Sequence, residues 1–293
     1  MNDSQSIISS QPPSSPTIDL AKFTDGLHLD SDGVWRGRGT EQISYPSAGN
    51  NVCFTVEDHS FWFAHRKACL LAILRRFPTA GPFFDIGGGN GFVAAAVQSA
   101  GIPVVLVEPG ADGIRHAQAR GVGNVVHSTL REAQFHHGSL PALGVFDVLE
   151  HISDDQAFLR EIRECLAPDG RIYLTVPAGR WLWSADDVQA GHFRRYTCTT
   201  LRRALEGAGF RVLFLSKMFS PLPFPLFLFR CLPSLFGRRR LPVQSYAALH
   251  QAKGQTLVEH IWQWELARLA RGQRIPFGTS CLAVAELLTY KHD

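Results

Sequence analysis

No stretch of this 293-residue chain offers the roughly 20 consecutive apolar residues that a membrane-spanning helix requires. The most apolar run, Pro221 to Phe229, is short and interrupted by prolines at 221, 223 and 225. The N-terminus, Met1-Asn2-Asp3-Ser4-Gln5, lacks the basic start and apolar run of a signal peptide. The six cysteines include no C-x-x-C pair, which suits a reducing, cytoplasmic setting without a disulfide framework. Cys53, His59, His65 and Cys69 match no common zinc spacing, and the aromatic residues between them argue for packing, so no metal site is assigned. A formal charge of +3 with no basic stripe excludes nucleic acid as an expected partner. There is no internal repeat.

What is present centres on Phe83 to Phe92. Phe83-Phe84-Asp85-Ile86 reads as a buried strand ending in an acid, followed by glycines at 87, 89 and 91 and an apolar helix. Glycine lets a backbone approach a ligand closely, and the helix N-terminus beyond it supplies unpaired amide donors. The spacing is G-x-G-x-G. Phe92 stands where a dinucleotide fingerprint wants its third glycine, and no Gly-Lys-Ser/Thr follows to make a phosphate loop. A second strand, 103–107, leads into Glu108, about one strand-helix-strand unit downstream of Asp85. A carboxylate there can accept both hydroxyls of a ribose, which points to a nucleoside ligand outside the carboxyl ends of the strands.

This pattern resembles class I S-adenosylmethionine-dependent methyltransferases: an acid, then G-x-G-x-G, then an acid ending the second strand. The resemblance continues through Phe146 to Ile152 and Leu166 to Leu174. The run from Val176 through Gly191-His192-Phe193-Arg194-Arg195-Tyr196-Thr197 is similar to a bacterial subgroup. It implies a Rossmann-like α/β fold, with a mostly parallel seven-stranded sheet covered on both faces and an antiparallel last strand near 279–287. It also implies S-adenosylmethionine as cofactor, S-adenosylhomocysteine as product, Asp85 and Gly87, Gly89 and Gly91 beside the methionine part, and Glu108 on the ribose. The acid that many members carry after the third strand is missing; Ser128 or Thr129 stands there as a weaker adenine contact.

Further candidates follow from position. Asp147, Glu150 and His151 fall at the end of a strand expected over 143–149. Asp147 is assigned to the cofactor, and His151 is a candidate base because an imidazole titrates near neutrality. A similar E-x-x-E-H motif binds a divalent metal in quinone-precursor O-methyltransferases; the plainer reading is a helix cap that shapes the cofactor pocket. The loop 191–196 gathers His192 and Tyr196 as catalytic candidates. Arg194 and Arg195, with Trp183, are candidates for an anionic acceptor. The competing reading pairs both arginines with Asp186 and Asp187 to pin the loop.

The expected organisation is a disordered tail over 1–18 and an N-terminal lid or substrate segment over 19–80. A cofactor-binding core spans 81–216 and 278–293, and an inserted cap spans 217–277. Within the cap, 217–240 ends in Arg238-Arg239-Arg240 and is read as a site cover, a homodimer contact or an interfacial segment touching anionic lipid. The expected activity is methyl transfer to a small-molecule or lipid-linked acceptor at oxygen (carboxylate or hydroxyl), with nitrogen or carbon behind it. The rivals are a cofactor-binding but catalytically silent partner subunit and an NAD-type oxidoreductase.

Overall fold

The computed structural model describes residues 17–39, 49–235 and 255–288. Its strands are β1 (His28–Leu29), β2 (Trp35–Arg36), β3 (Phe83–Ile86), β4 (Val104–Glu108), β5 (Val125–His127), β6 (Leu140–Phe146), β7 (Leu166–Pro177), β8 (Phe210–Met218) and β9 (Ser280–Leu287). They form one sheet in the order β1-β2-β5-β4-β3-β6-β7-β9-β8. Pairing is parallel from β2 to β7, and β9 runs antiparallel between β7 and β8.

Successive residues of a strand face opposite sides of a sheet, and here both sides are apolar. Phe84, Val105, Val107, Leu143 and Ile172 enter one core cluster, while Phe83, Val104, Leu106, Ala142 and Tyr173 enter the other. Continuous apolar strands of this kind are stable only when helices cover both faces. The helices that do so are α2 (Phe61–Arg76), α3 (Phe92–Ser99) and α4 (Ala111–Ala119) on one side, with α5 (Asp155–Cys165) and α7 (Cys198–Gly207) on the other. Side-chain caps fix several helix starts: the Ser60 hydroxyl accepts from Phe63 N at 3.4 Å, Asp154 from Ala157 N at 2.9 Å, and Thr197 from Thr200 N at 3.1 Å. The strand order reverses between β3 and β6, so the carboxyl ends of those strands open a crevice where open α/β sheets take ligands.

Several expectations need correcting. The sheet has nine strands, because Trp35–Arg36 extends the β5 edge and His28–Leu29 pairs with it. Two-residue strands carry too little periodicity to be seen in sequence. Ile18, placed in the tail on sequence grounds, is buried, and its N–H donates to Asn124 Oδ1 at 3.0 Å. The strand expected over 143–149 stops at Phe146, since Asp147 takes a left-handed backbone (φ +58°) and Leu149–His151 form a tight helical turn. The segment 19–80 carries two helices, α1 (Gly49–Glu57) and α2.

In the inserted segment, α8 (Pro223–Leu226) and α9 (Leu232–Leu235) follow β8, and α10 (Gln255–Ala270) packs on α2. Trp262 of α10 stacks on His65 with ring centroids 4.7 Å apart. Arg238-Arg239-Arg240 lies outside the described residues. Among the described residues, no helix is long and apolar enough to cross a membrane.

Candidate functional site

Asp85 sits at the end of β3, paired in register with Leu106 of β4, and is 1% exposed. Its Oδ2 is buried and has no hydrogen-bond partner among the described residues. Burial pushes its pKa up to about 7; Arg66 opposes that rise and Glu108 reinforces it. A buried carboxylate oxygen in this state has unused capacity for a donor or a cation at the carboxyl end of β3.

The glycine turn comes next. Gly87, Gly89 and Gly91 all have positive φ (+67°, +55° and +72°). At Gly91 a Cβ would fall 2.9 Å from Ala117 Cβ and 3.0 Å from Ala117 Cα, so this glycine lets α3 close on α4. At Gly89 a Cβ would meet nothing closer than Asn50 Oδ1 at 3.8 Å. Its backbone therefore faces open space, as close approach by a ligand requires.

Glu108 ends β4 and is buried, which raises its pKa against the pull of its donors. Gly110 N donates to Oε1 at 2.8 Å and Gly89 N to Oε2 at 2.9 Å. Asn50 Nδ2 adds a longer contact to Oε1 at 3.5 Å. Oε2 keeps acceptor capacity beyond its one bond, and a ligand hydroxyl at Oε1 would replace the long Asn50 contact, so the side chain is aimed to take two hydroxyls. The orphaned Asp85 oxygen, the open Gly89 backbone and the aimed Glu108 fit a cationic nucleoside of the S-adenosylmethionine kind.

Helix α1 lies over this turn. Asn90 Nδ2 donates to Asn50 O at 2.9 Å and to Glu57 Oε1 at 3.1 Å, while His116 Nδ1 meets Asn90 Oδ1 at 2.8 Å. Phe54 stacks on His116 at 3.9 Å, and Arg120 binds Glu57 at 2.9 Å. These contacts fasten α1 to the glycine turn and to α4. Ser128 is buried beneath the N-terminal segment: its hydroxyl donates to Thr129 O at 3.0 Å, and a Cβ on Gly37 would lie 2.5 Å from its Oγ. Asp147 meets the guanidinium of Arg66, with Oδ2 2.6 Å from Nη2.

The second half of the site gathers at the ends of β6 and β7. Glu150 and His151 occupy the turn after β6, and His192 follows α6 (Ala185–Gln189). The rings of His151 and His192 meet edge to face at 4.7 Å. Burial and the neighbouring His192 lower the His151 pKa to about 4, so it is neutral at physiological pH and a poor base. Burial, then the charge of Asp147, holds the Glu150 carboxyl well above the ordinary range, and its Oε2 has no hydrogen-bond partner among the described residues.

His192 Nδ1 lies 2.9 Å from Oδ1 of the fully buried Asp187. Asp187 is itself fixed by Ser184 N at 2.9 Å and Arg195 Nε at 2.7 Å. A carboxylate on Nδ1 makes that nitrogen the donor and leaves Nε2 as an acceptor. This is the arrangement of an oriented base.

Not every candidate joins that pair. Arg195 is taken up by Asp187 and by Ala178 O at 3.1 Å, and Arg194 by Asp155 at 2.8 Å and by Ser153 O. Both arginines pin the loop, Arg194 through Asp155 where the competing reading had named Asp186. The Tyr196 ring packs in the core, and its hydroxyl donates to Asp155 Oδ2 at 2.7 Å; burial, then Asp155, raises its pKa. The two histidines meet without it. Trp183 lies exposed on the other side of α6, after the Arg180–Leu182 turn.

Sequence reasoning missed the pairing of Asp187 with His192, although the Ser184-x-x-Asp187 capping box was there to be read. It also missed Arg66 and Asn50, which carry no local signal. His65, Cys69 and Glu265 do converge. Glu265 is nonetheless committed to the backbone: it accepts from Phe219 N at 2.6 Å, Ser220 N at 2.9 Å and the Ser220 hydroxyl at 2.8 Å. Burial opposes its ionisation, but His65 and these backbone donors outweigh that and hold its carboxyl below the ordinary range. The cluster is a clip joining α2, α10 and the end of β8.

Comparison with known proteins agrees with this geometry. Residues 62–215, just over half of the chain, match the family described as methyltransferase domain. Comparison with curated protein sequences finds no match. Among solved structures, a chain of the complex formed by the Haloferax volcanii Trm112 methyltransferase activator is 16% identical with a TM-score of 0.53, covering 84% of this chain and 96% of that one. Haemonchus contortus phosphoethanolamine N-methyltransferase 2, in complex with S-adenosyl-L-methionine, is 18% identical with a TM-score of 0.54. That match covers 86% of this chain and 61% of that one. The [4+2]-cyclase SpnF is 16% identical with a TM-score of 0.50, covering 87% of this chain and 90% of that one. At such identities the likeness establishes the fold, a Rossmann-like methyltransferase fold, and leaves the reaction to the site.

Proposed function

The chain belongs to the methyltransferase-domain family, and from that premise we propose that it methylates an oxygen of a small-molecule or lipid-linked acceptor, with His192 taking the acceptor's proton. S-adenosylmethionine is the cofactor and supplies an electrophilic methyl group when bound. Family membership sets aside the NAD-type reading, in keeping with Phe92 at the third fingerprint position.

Asp85 and Glu108 hold the donor, the first through its unpartnered oxygen and the second through both of its own. Methyl transfer needs little covalent help from the protein, so catalysis rests on alignment and on removal of a proton from a hydroxyl. The observation that carries the oxygen reading is the Asp187–His192 contact at 2.9 Å, which fixes one tautomer and leaves Nε2 for the acceptor. Neutral His151 beside it adds a polar wall without a competing charge. Arg195 acts through Asp187, which it holds in place. A lipid-linked acceptor is favoured by the apolar surface beside this loop: Phe224 and Leu228 are exposed, and Trp181 packs against Phe227 at 5.5 Å.

The test is transfer of an isotopically labelled methyl group from S-adenosylmethionine across a panel of hydroxyl, carboxylate, amine and polyprenyl-phosphate acceptors. Wild type is expected to label an oxygen acceptor. His192→Ala should lose about 10²–10⁴-fold in kcat with unchanged donor affinity. Labelling confined to nitrogen or carbon, or a His192→Ala variant as fast as wild type, would sink the proposal. Donor binding with no turnover on any acceptor would favour the silent-partner reading.

A further inference from the structure

Cys198 and Cys281 stand 83 positions apart, and their sulfur atoms lie 3.8 Å from each other. Cys198 opens the ten-residue helix α7 immediately after its cap, Thr197. Cys281 lies in β9, opposite Val176 of β7 and Lys217 of β8. The pair therefore joins a helix start to the central antiparallel strand of the sheet's far side. Cys198 is half-buried and Cys281 is fully buried. Both are free thiols. Cys69 and Cys231, by contrast, lie against His65 Nε2 at 3.4 Å and Leu182 O at 3.2 Å.

We propose that Cys198 and Cys281 are a peroxide-oxidisable pair that closes a reversible intramolecular disulfide. Cys198 is the attacking thiol, because it is the one that solvent reaches and because the start of a helix favours a thiolate. The Cys281 thiol donating toward it, with Lys217, Arg202 and Arg274 nearby, holds the Cys198 pKa below the ordinary thiol range. The Cys198 thiolate attacks one oxygen of a hydroperoxide; an S–O bond forms, the O–O bond breaks, and hydroxide leaves to become water. The Cys281 sulfur then attacks the sulfenic sulfur, forming the S–S bond, breaking S–O and releasing a second water. Two thiols lose two electrons in total and one peroxide gains them.

A disulfide needs its sulfurs at about 2.05 Å, so roughly 1.8 Å of approach must be shared between two side-chain rotations and the first turn of α7. That turn directly follows Arg195 and Tyr196, whose contacts hold the His192 loop. Glu108 and the glycine turn lie at the other half of the site. Oxidation is therefore expected to slow turnover while donor affinity stays within twofold.

The experiment treats the folded full chain with hydrogen peroxide and maps its peptides by mass spectrometry. Wild type should lose two hydrogens and yield one cross-linked peptide pair, 198 with 281, which dithiothreitol reverses. Cys281→Ser should instead accumulate a dimedone adduct at Cys198, and Cys198→Ser should leave Cys281 unmodified. If either variant fails to fold, wild type alone decides. Native-state alkylation at pH 7 should modify Cys198 at least tenfold faster than Cys165, whose thiol burial pushes up to about 11. Oxidation spread over the six cysteines as in the urea-unfolded chain, or conversion of Cys198 to sulfinic acid without a 198–281 link, would overturn the proposal.

Discussion

Replacing Asp85 by Asn should stabilise the cofactor-free protein at alkaline pH and leave it nearly unchanged in acid. Burial lifts the Asp85 pKa from 3.8 to about 7, about three units at 1.36 kcal/mol each, or at most about 4 kcal/mol. The sign follows from proton linkage. Between about pH 4 and pH 7 the native state holds a proton that the unfolded chain has released, so stability falls as pH rises through that window and levels off above it. Asn keeps the shape and never ionises. The variant is therefore expected to exceed wild type by about 2–4 kcal/mol at pH 8, with the gap narrowing to less than half of that at pH 5 and closing below about pH 4. Urea unfolding of both proteins at pH 5, 6, 7 and 8 measures this directly. The same carboxylate must ionise to meet a cationic donor, so donor binding at pH 6 should release close to one proton in wild type and none from this site in Asp85→Asn, read by calorimetry in two buffers. A stability gap independent of pH would refute the reasoning.

Two other outcomes follow from the same geometry. Asp187→Asn should lower kcat by about 10–100-fold with unchanged donor affinity, because His192 loses the carboxylate that fixes its tautomer; steady-state kinetics with calorimetry checks both halves. Glu265→Ala should cost about 3–5 kcal/mol by stranding the buried donors of Phe219, Ser220 and His65, and should lower the melting temperature by about 5–8 °C in a thermal scan.

The parts of the fold that could be read in the sequence are those where local chemistry and tertiary role coincide. Phe83-Phe84-Asp85-Ile86 is buried throughout, with apolar residues on both faces because helices cover both, and the turn after it needs glycine at 87, 89 and 91 because φ is positive there. Glu108 was legible because one strand-helix-strand unit has a nearly fixed length. The end of β6 was misplaced by three residues: Val148 and Leu149 continue the apolar run, but the left-handed Asp147 breaks the strand, held by Arg66 from a distant helix. His192 was visible as a titratable residue on a loop. Its partner was not: the Ser184-x-x-Asp187 box places Asp187 at a helix start, but nothing local shows that its second oxygen reaches His192 five residues on. Long-range partners of this kind, Arg66 for Asp147 and Glu265 for the corner after β8, leave no periodic trace.

The most direct test of the account is calorimetric titration of the purified protein and its Glu108→Ala variant with S-adenosylmethionine and S-adenosylhomocysteine. Wild type should bind both, and the variant should lose at least about 100-fold in affinity, as expected for a carboxylate that accepts both ribose hydroxyls. Binding that is absent from wild type, or equally tight in the variant, would contradict the assignment of the crevice between β3 and β6 as the methyl-donor site.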